Sequence, residues 1–413
     1  MKRSWILCGL LLYALLGLII FPFFIGIPEN TIFGSDAIGY SKGAINLLLH
    51  GYYSFDGVTP FLDREPGMSF FLVAVYAVFG IESVVGLALA QGVMIFLAAW
   101  FFCQEAARLT GSRAAGICFL LLLVSGSVFH TIFSAYRECL ALSLLLVFSG
   151  FFLSYERERE WWKAIVMGLI FGLLILTYYP FIFFPPVLLF VWWTRRMPLR
   201  DAALVILLCY LTVGTWALRN HAQIGKFTVI DDRRTVIMWY VRGVQAEHVR
   251  GTEPFLCLYA EYISRDWTGR SPQCSFNGLM HQKWPEGIEI GVDYSDIEKA
   301  SKAKIKANLP SYLWFSAVDT IELHLPYLGG GWSHAYNLYA SLSMLLLYIG
   351  FALGLPALVR REYVLWFLLI GYNTAVFILT DATPRYLMPV IFCYALFAGL
   401  GYDWLIKKAI RKP

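Results

Sequence analysis

Residues 63 to 80 read "DREPGMSFFLVAVYAVFG". Three charged side chains and a Pro-Gly pair run directly into an apolar stretch, and that stretch is short. Between Pro66 and Gly80 lie only 13 residues, 67 to 79. A helix rises about 1.5 Å per residue, and crossing the hydrocarbon of a bilayer takes about 20 mostly apolar residues. Residues 67–79 therefore read as a half-embedded or interfacial helix rather than a span. That choice sets the orientation of every later segment.

The rest of the chain makes a membrane setting unavoidable. Its 413 residues are 59% hydrophobic and 17% aromatic with only 15% charged, and mean hydropathy is +0.62. These values exclude an ordinary soluble domain. In hydrocarbon the backbone must satisfy its own hydrogen bonds, so the apolar runs read as helices. The sequence predicts an all-α polytopic membrane protein of about ten spans, at residues 5–25, 82–104, 114–135, 139–154, 163–179, 180–194, 201–218, 334–358, 363–380 and 387–406. Interfacial helices are expected in the first outer loop, 26–66, and a small mixed α/β cap in a long outer segment. The organisation is an N-terminal bundle, 1–218, an extracytoplasmic or periplasmic segment, 219–333, and C-terminal helices, 334–413.

Basic residues test this topology. With the N-terminus inside, the inner segments hold Lys2, Arg3, Arg108, Arg113, Arg157, Arg159, Lys163, Arg195, Arg196, Arg200, Arg360, Arg361, Lys407, Lys408, Arg411 and Lys412. The short outer loops hold only Lys42, Arg64, Arg137 and Arg385. The asymmetry favours both termini in the cytoplasm of a multi-pass plasma (inner) membrane protein. Counting 67–79 as a full span inverts every later loop and destroys it. The first apolar run follows Lys2 and Arg3 as a signal peptide would, yet its apolar core is long and no A-x-A-like site follows, so it is expected to remain as a span. The net charge of +5 is accounted for by the inner-face Lys and Arg and gives no reason to expect nucleic acid.

Six cysteines, Cys8, Cys103, Cys118, Cys139, Cys209 and Cys393, fall in apolar spans, where a thiol behaves as a small hydrophobe. Cys257 and Cys274 are the pair in the long outer segment, where an oxidising compartment permits a disulfide. No His/Cys spacing resembles a zinc site.

Two segments break the apolar pattern. In the first, "SDAIGYSKGAINLLLHG", residues 35 to 51, starts at a capping residue type, Ser35, and stops at Gly51. Ile38, Ile45 and Leu49 share one helical face, while Asp36 and Tyr40 share the other. This is the pattern of an interfacial helix with Asp36 turned to water or a cavity. The second segment opens with "KFTVIDD" and "TVIMWYV", which read as short strands. It continues to a helical stretch near 296–308 and an amphipathic piece, "PSYLWFSAVDTIELHL".

Ionisable residues recur at the outer level of the bundle: Asp36, "DREPG", "AYRECLA" around Arg137 and Glu138, and "DATPRYLMP" around Asp381 and Arg385. A charge at mid-bilayer costs about 2.5 to 3.5 kcal/mol on insertion scales, and intramembrane charge usually marks a functional cavity. Each group alone also reads as a solvated helix end; together they point to a common cavity. Carboxylates act as general bases, and arginine forks match phosphate. The combination suggests transfer to a hydroxyl with a phosphate leaving group. The signatures of nucleotide cradles, serine hydrolases and zincins are missing.

The order of "GSDAIGY", "REPGMSFFLVAVYAVFG", "YRECLAL", "WALRNHAQIGKFTVI" and "TPRYLMPV" resembles the GT-C superfamily of integral-membrane glycosyltransferases. The resemblance is to bacterial relatives of the dolichyl-phosphate-mannose protein mannosyltransferases and of the lipid A aminoarabinose transferase. It implies a catalytic base at Asp36, a second acidic site residue at Glu65 and a supporting one at Glu138. It also implies a polyprenyl-phosphate sugar donor whose phosphate meets Arg64, Arg385 or Arg219, with Tyr40 bonding it. The acceptor is a glycan, lipid or protein hydroxyl at the extracytoplasmic face. The implied inverting displacement needs no nucleotide and no resident cofactor, and is compatible with a divalent metal. At "TYYP" many relatives carry Arg; here Tyr178 and Tyr179 stand. Two other functions fit the same charges: a transporter or flippase of lipid-linked sugar, and a lipid-linked glycan ligase or polymerase.

Overall fold

The computed structural model describes residues 3–25, 32–34, 36–230, 243, 294–325, 334–379 and 384–410. In chain order the helices are α1 (Arg3–Ile25), α2 (Ala37–His50), α3 (Pro66–Phe79), α4 (Val84–Thr110), α5 (Ser112–Val124), α6 (Gly126–Ile132), α7 (Arg137–Glu158) and α8 (Trp161–Thr177). They continue as α9 (Val187–Thr194), α10 (Leu199–Ile224), α11 (Tyr294–Ala307), α12 (Leu309–Leu323), α13 (His334–Gly354), α14 (Val364–Ile378) and α15 (Ile391–Ile410). Among the described residues there is no strand, only an isolated bridge between Ser54 and Pro60.

The chain forms two compact units. The first comprises Met1–Ile230, Pro326–Asn373 and Leu387–Pro413; the second comprises Asp231–Leu325 and Thr374–Tyr386. In the first, α4 packs on α7, α8 on α10, and α15 on both α5 and α13. Edge-on aromatic pairs hold this core, with ring centroids 5.2 Å apart for Phe102–Phe392, 5.0 Å for Phe148–Phe171 and 5.1 Å for Phe152–Trp192. Such pairs add about 0.5–1.5 kcal/mol beyond the area they bury.

The short apolar helix expected after "DREPG" is α3, 14 residues long, or about 21 Å at the helical rise. Pro66 opens it, where the missing N–H costs nothing. Pro66 also restricts the residue before it: Glu65 is extended, at φ −65° and ψ 140°, as a residue preceding proline must be.

Fewer than the ten expected spans stand out among the described residues. Among the described residues five helices are long and apolar enough to cross a membrane: α4, α7, α10, Tyr336–Ala357 and Pro384–Ile410. The pair α5–α6, bent by 55° at Ser125, makes a sixth if counted as one broken span. Shorter apolar helices are Ser4–Gly17 within α1, α3 and α8. The expected span 180–194 is instead a 3-10 turn, Tyr179–Phe183, followed by the eight-residue α9, because Pro180, Pro185 and Pro186 remove donors the helical ladder needs. The expected span 114–135 is the bent pair. Its break exposes backbone groups, and α13 satisfies them: the hydroxyls of Tyr339 and Tyr336 donate to the carbonyls of Val124 and Gly126, and Ser343 Oγ accepts from the Gly126 N–H at 3.0 Å. Backbone groups freed at membrane depth need such partners.

In the second unit the predicted helical stretch is α11 and the amphipathic piece is α12. Of "KFTVIDD", the described part, Lys226–Ile230, is not a strand; its carbonyls at Thr228 and Val229 accept from the Asn220 side chain. "TVIMWYV" and most of the expected cap, with Cys257 and Cys274, lie outside the described residues. The six described cysteines carry no disulfide.

Candidate functional site

α2 brings the first carboxylate into place. Asp36 stands at its N-terminal boundary without capping the helix; its Oδ1 instead accepts from Arg64 Nη2 at 2.9 Å. The Arg64 guanidinium also lies 5.8 Å from the centroid of the Tyr40 ring, one turn along α2. It fits there because Gly39 has no side chain: a Cβ would sit 3.1 Å from Arg64 Cγ and Nε. The apolar face expected to point away does so, with Ile38 and Leu49 exposed and Tyr40 buried. Ser41 fixes the other side of α2, donating to Glu82 Oε1 at 2.6 Å and lying 2.9 Å from the Tyr76 hydroxyl.

Glu65, the next residue, makes a second ion pair. Its side chain is 3% exposed and forms an ion pair with Arg137 at the start of α7. Glu65 Oε2 accepts from the Tyr40 hydroxyl at 3.4 Å, and Oε1 accepts from the Tyr179 N–H at 3.2 Å. Arg137 is in turn stacked over the Tyr178 ring at 4.7 Å. A buried carboxylate is tolerable only when paired and hydrogen-bonded, and here three donors share one. The two carboxylates therefore differ. Asp36 is 22% exposed and reachable, whereas Glu65 is enclosed.

The peptide joining the two pairs is held as well. Tyr53 is buried, and its hydroxyl donates to the carbonyls of Arg64 at 3.3 Å and Glu65 at 3.4 Å. Burial pushes this phenol well above its ordinary range, the nearby Glu65 adding to the shift, so it stays a donor. On its far side, Arg219 stacks over Trp216 at 4.7 Å and Tyr53 at 5.8 Å and donates to Asn220 Oδ1 at 2.8 Å. Behind the loop α3 meets the end of α8 so closely that a Cβ on Gly67 would lie 2.2 Å from Thr177 Oγ1 and 2.9 Å from the Leu176 carbonyl oxygen. This contact delivers Tyr178 and Tyr179 to Glu65 and Arg137.

Of the residues expected from the sequence, Asp36, Tyr40, Arg64, Glu65 and Arg219 come together around the loop. Glu138 is buried in the first turn of α7, beside Arg137, where a carboxylate is favoured by the helix dipole. Arg385 belongs to the second unit, where it stacks over the Tyr386 ring at 5.1 Å. Asp63 is exposed. Sequence reasoning missed Arg137 as the partner of Glu65, and with it the roles of Tyr53, Tyr178 and Tyr179. The signal for Arg137 was its place among the outer-level charges, and for Tyr178 and Tyr179 their standing at "TYYP", where many members of the family the sequence resembles carry Arg. Tyr53 gave none. Among the described residues no group of three His, Cys, Asp or Glu side chains is arranged to hold a metal ion.

No family model and no curated protein matches the chain. Solved structures do. The oligosaccharyltransferase of Archaeoglobus fulgidus in its apo form matches 98% of this chain and 51% of its own, at 13% identity and a TM-score of 0.55. The same organism's AglB, in complex with an inhibitory peptide and a dolichol-phosphate, matches 98% of this chain and 51% of its own, at 12% identity and a TM-score of 0.53. ArnT from Cupriavidus metallidurans, bound to undecaprenyl phosphate, superposes more loosely, at 15% identity over 97% of this chain and 79% of its own, with a TM-score of 0.43. The chain spans about half the length of the oligosaccharyltransferase it matches. At these identities the likeness is one of fold alone: the chain shares the GT-C fold of the Archaeoglobus fulgidus oligosaccharyltransferase.

Proposed function

We propose that the protein is an inverting membrane glycosyltransferase. It moves a sugar from a polyprenyl-phosphate donor to an acceptor hydroxyl on a cell-envelope glycan, lipid or protein. The observation that carries this reading is the joined pair of ion pairs, Asp36–Arg64 and Glu65–Arg137, built at the entry to a helix too short to span, on a GT-C fold. That an oligosaccharyltransferase of this fold has been solved with a dolichol-phosphate supports a lipid-phosphate donor. The expected topology belongs to the same proposal: a multi-pass inner-membrane protein with both termini cytoplasmic and the site on the extracytoplasmic face.

In this mechanism Asp36 takes the proton from the acceptor hydroxyl. The acceptor oxygen bonds to the anomeric carbon from the face opposite the phosphate, and the sugar–phosphate C–O bond breaks with its electron pair leaving on the lipid phosphate. Asp36 loses its negative charge as the departing phosphate gains one. Arg64, paired with Asp36 beforehand, then exchanges the carboxylate for the phosphate. Such stabilisation of charge that develops only in the transition state is usually the largest electrostatic contribution to catalysis. Arg219, stacked on Trp216, supplies a second cation. Glu65 acts as a positioning residue: with Arg137, Tyr40 and Tyr179 it fixes the peptide that carries Arg64. Glu138 supports the start of α7 beside Arg137.

The test is transfer by the purified full chain in lipid vesicles, with polyprenyl-phosphate sugars as donors and acceptors identified by mass spectrometry of envelope glycans, lipid A and proteins from cells with and without the chain. A gain of one sugar supports the proposal, and a gain of a preassembled oligosaccharide supports a ligase or polymerase. Movement of lipid-linked sugar across the bilayer without transfer overturns both in favour of a transporter. Alanine at Arg64, Arg219 or Arg385 identifies the phosphate-binding cation by a raised KM for the donor.

A further inference from the structure

α12 presents an apolar face to the outside of the second unit. Leu309 is 47% exposed, Leu313 53%, Trp314 46% and Ile321 47%. Leu309, Leu313, Ala317 and Ile321 recur every four residues and Trp314 flanks them, so one side of the helix carries five exposed positions without a charge among them. The other side is already buried through Phe315, Ser316 and Val318. A surface helix in water normally turns a polar face outward. This helix packs one side and offers more apolar surface on the other.

We infer that this face of α12 lies in the interfacial region of the lipid bilayer, at the boundary of headgroups and acyl chains. Three observations select lipid. First, α12 has 15 residues, about 22 Å at the helical rise, which is too short to cross and suits a helix lying in the membrane plane. Second, the Tyr312 hydroxyl donates at 2.8 Å to the carbonyl of Leu379, the residue just past the apolar helix α14, so α12 is tied to the level where an apolar helix ends. Third, Trp314 is an aromatic of the kind that collects at membrane interfaces, and the leucines and isoleucine beside it are exposed. The face bears no charge, so the lipid chemistry recognised is the acyl–headgroup boundary rather than an anionic headgroup. The inference stands on the second unit alone and does not depend on the glycosyltransferase reading.

The experiment places the photocrosslinking residue p-benzoylphenylalanine at position 313 or, separately, at 314, both exposed sites, in the full chain reconstituted into phosphatidylcholine vesicles. Irradiation followed by mass spectrometry is expected to yield a lipid adduct on the peptide containing the substituted position. A crosslink to a second copy of the chain, no adduct at either position, or an adduct that requires anionic lipid would each overturn it.

Discussion

Arg137 closes an ion pair on Glu65, 72 residues earlier in the chain, while the adjacent Arg64 closes one on Asp36. Two adjacent residues thus carry an enclosed charge pair and a more accessible one. The division of labour proposed for the site follows from that difference in burial.

If Asp36 is the base, Asp36→Asn should keep a hydrogen-bond acceptor for Arg64 yet lose the ability to take a proton. We expect kcat to fall by about 10²-fold or more, the usual worth of a general base, with donor binding close to wild type. Single-turnover transfer and a separate donor-binding measurement check it; turnover near wild type would remove Asp36 from the chemistry.

The enclosed pair predicts a different pattern. Glu65→Gln or Arg137→Gln alone leaves one buried charge without its counterpart, costing about 3–5 kcal/mol. The double variant leaves neither and should recover part of that loss. Thermal unfolding of the three proteins in one detergent gives the coupling, and additive losses would show that the pair does not act as a unit.

Gly67→Ala forces a methyl against Thr177 Oγ1 and the Leu176 carbonyl. Overpacking of this kind costs about 1–3 kcal/mol. Adding Thr177→Ala should restore only a fraction, because the backbone oxygen remains. Since the same contact delivers Tyr179 to Glu65, transfer should fall together with stability.

Tyr53→Phe removes the hydroxyl shared by the Arg64 and Glu65 carbonyls and should cost about 0.5–1.5 kcal/mol. The folded phenol is raised by burial, so its contribution is complete below the unfolded tyrosine value of about 10. It is lost as pH climbs from there toward the folded value. The stability gap between wild type and variant should be constant from neutral pH to about 10 and narrow above it; a gap that closes at lower pH would contradict the assignment.

Much of this is legible in the sequence. The shortness of α3, the boundary at Pro66 and the helix that begins beside Asp36 and carries Tyr40 all follow from residue spacing, because helix length and helical facing are local properties. The pairing is not. Nothing in "YRECLAL" says that Arg137 rather than Glu138 reaches the loop, since that depends on how α3, α7 and α8 meet. The span count suffered from a related limit. Hydropathy marks 180–194 as apolar but does not weigh three prolines against the helical ladder, and it is blind to the bend at Ser125, which survives because tyrosines 210 and 215 residues away satisfy the opened carbonyls.

Glu65 stands extended immediately before Pro66, and Arg64 precedes it in a bend, so each ion pair depends on its residue's place in the count back from the proline. An inserted or deleted residue between Asp63 and Pro66 would put a different side chain at the extended position the proline imposes and displace at least one of the two charges from its present partner, Asp36 or Arg137. Homologous chains should therefore tolerate length changes in the exposed turn at Gly57 and hold the spacing of these four residues fixed, a constraint on insertions and deletions that no single substitution at the site would reveal.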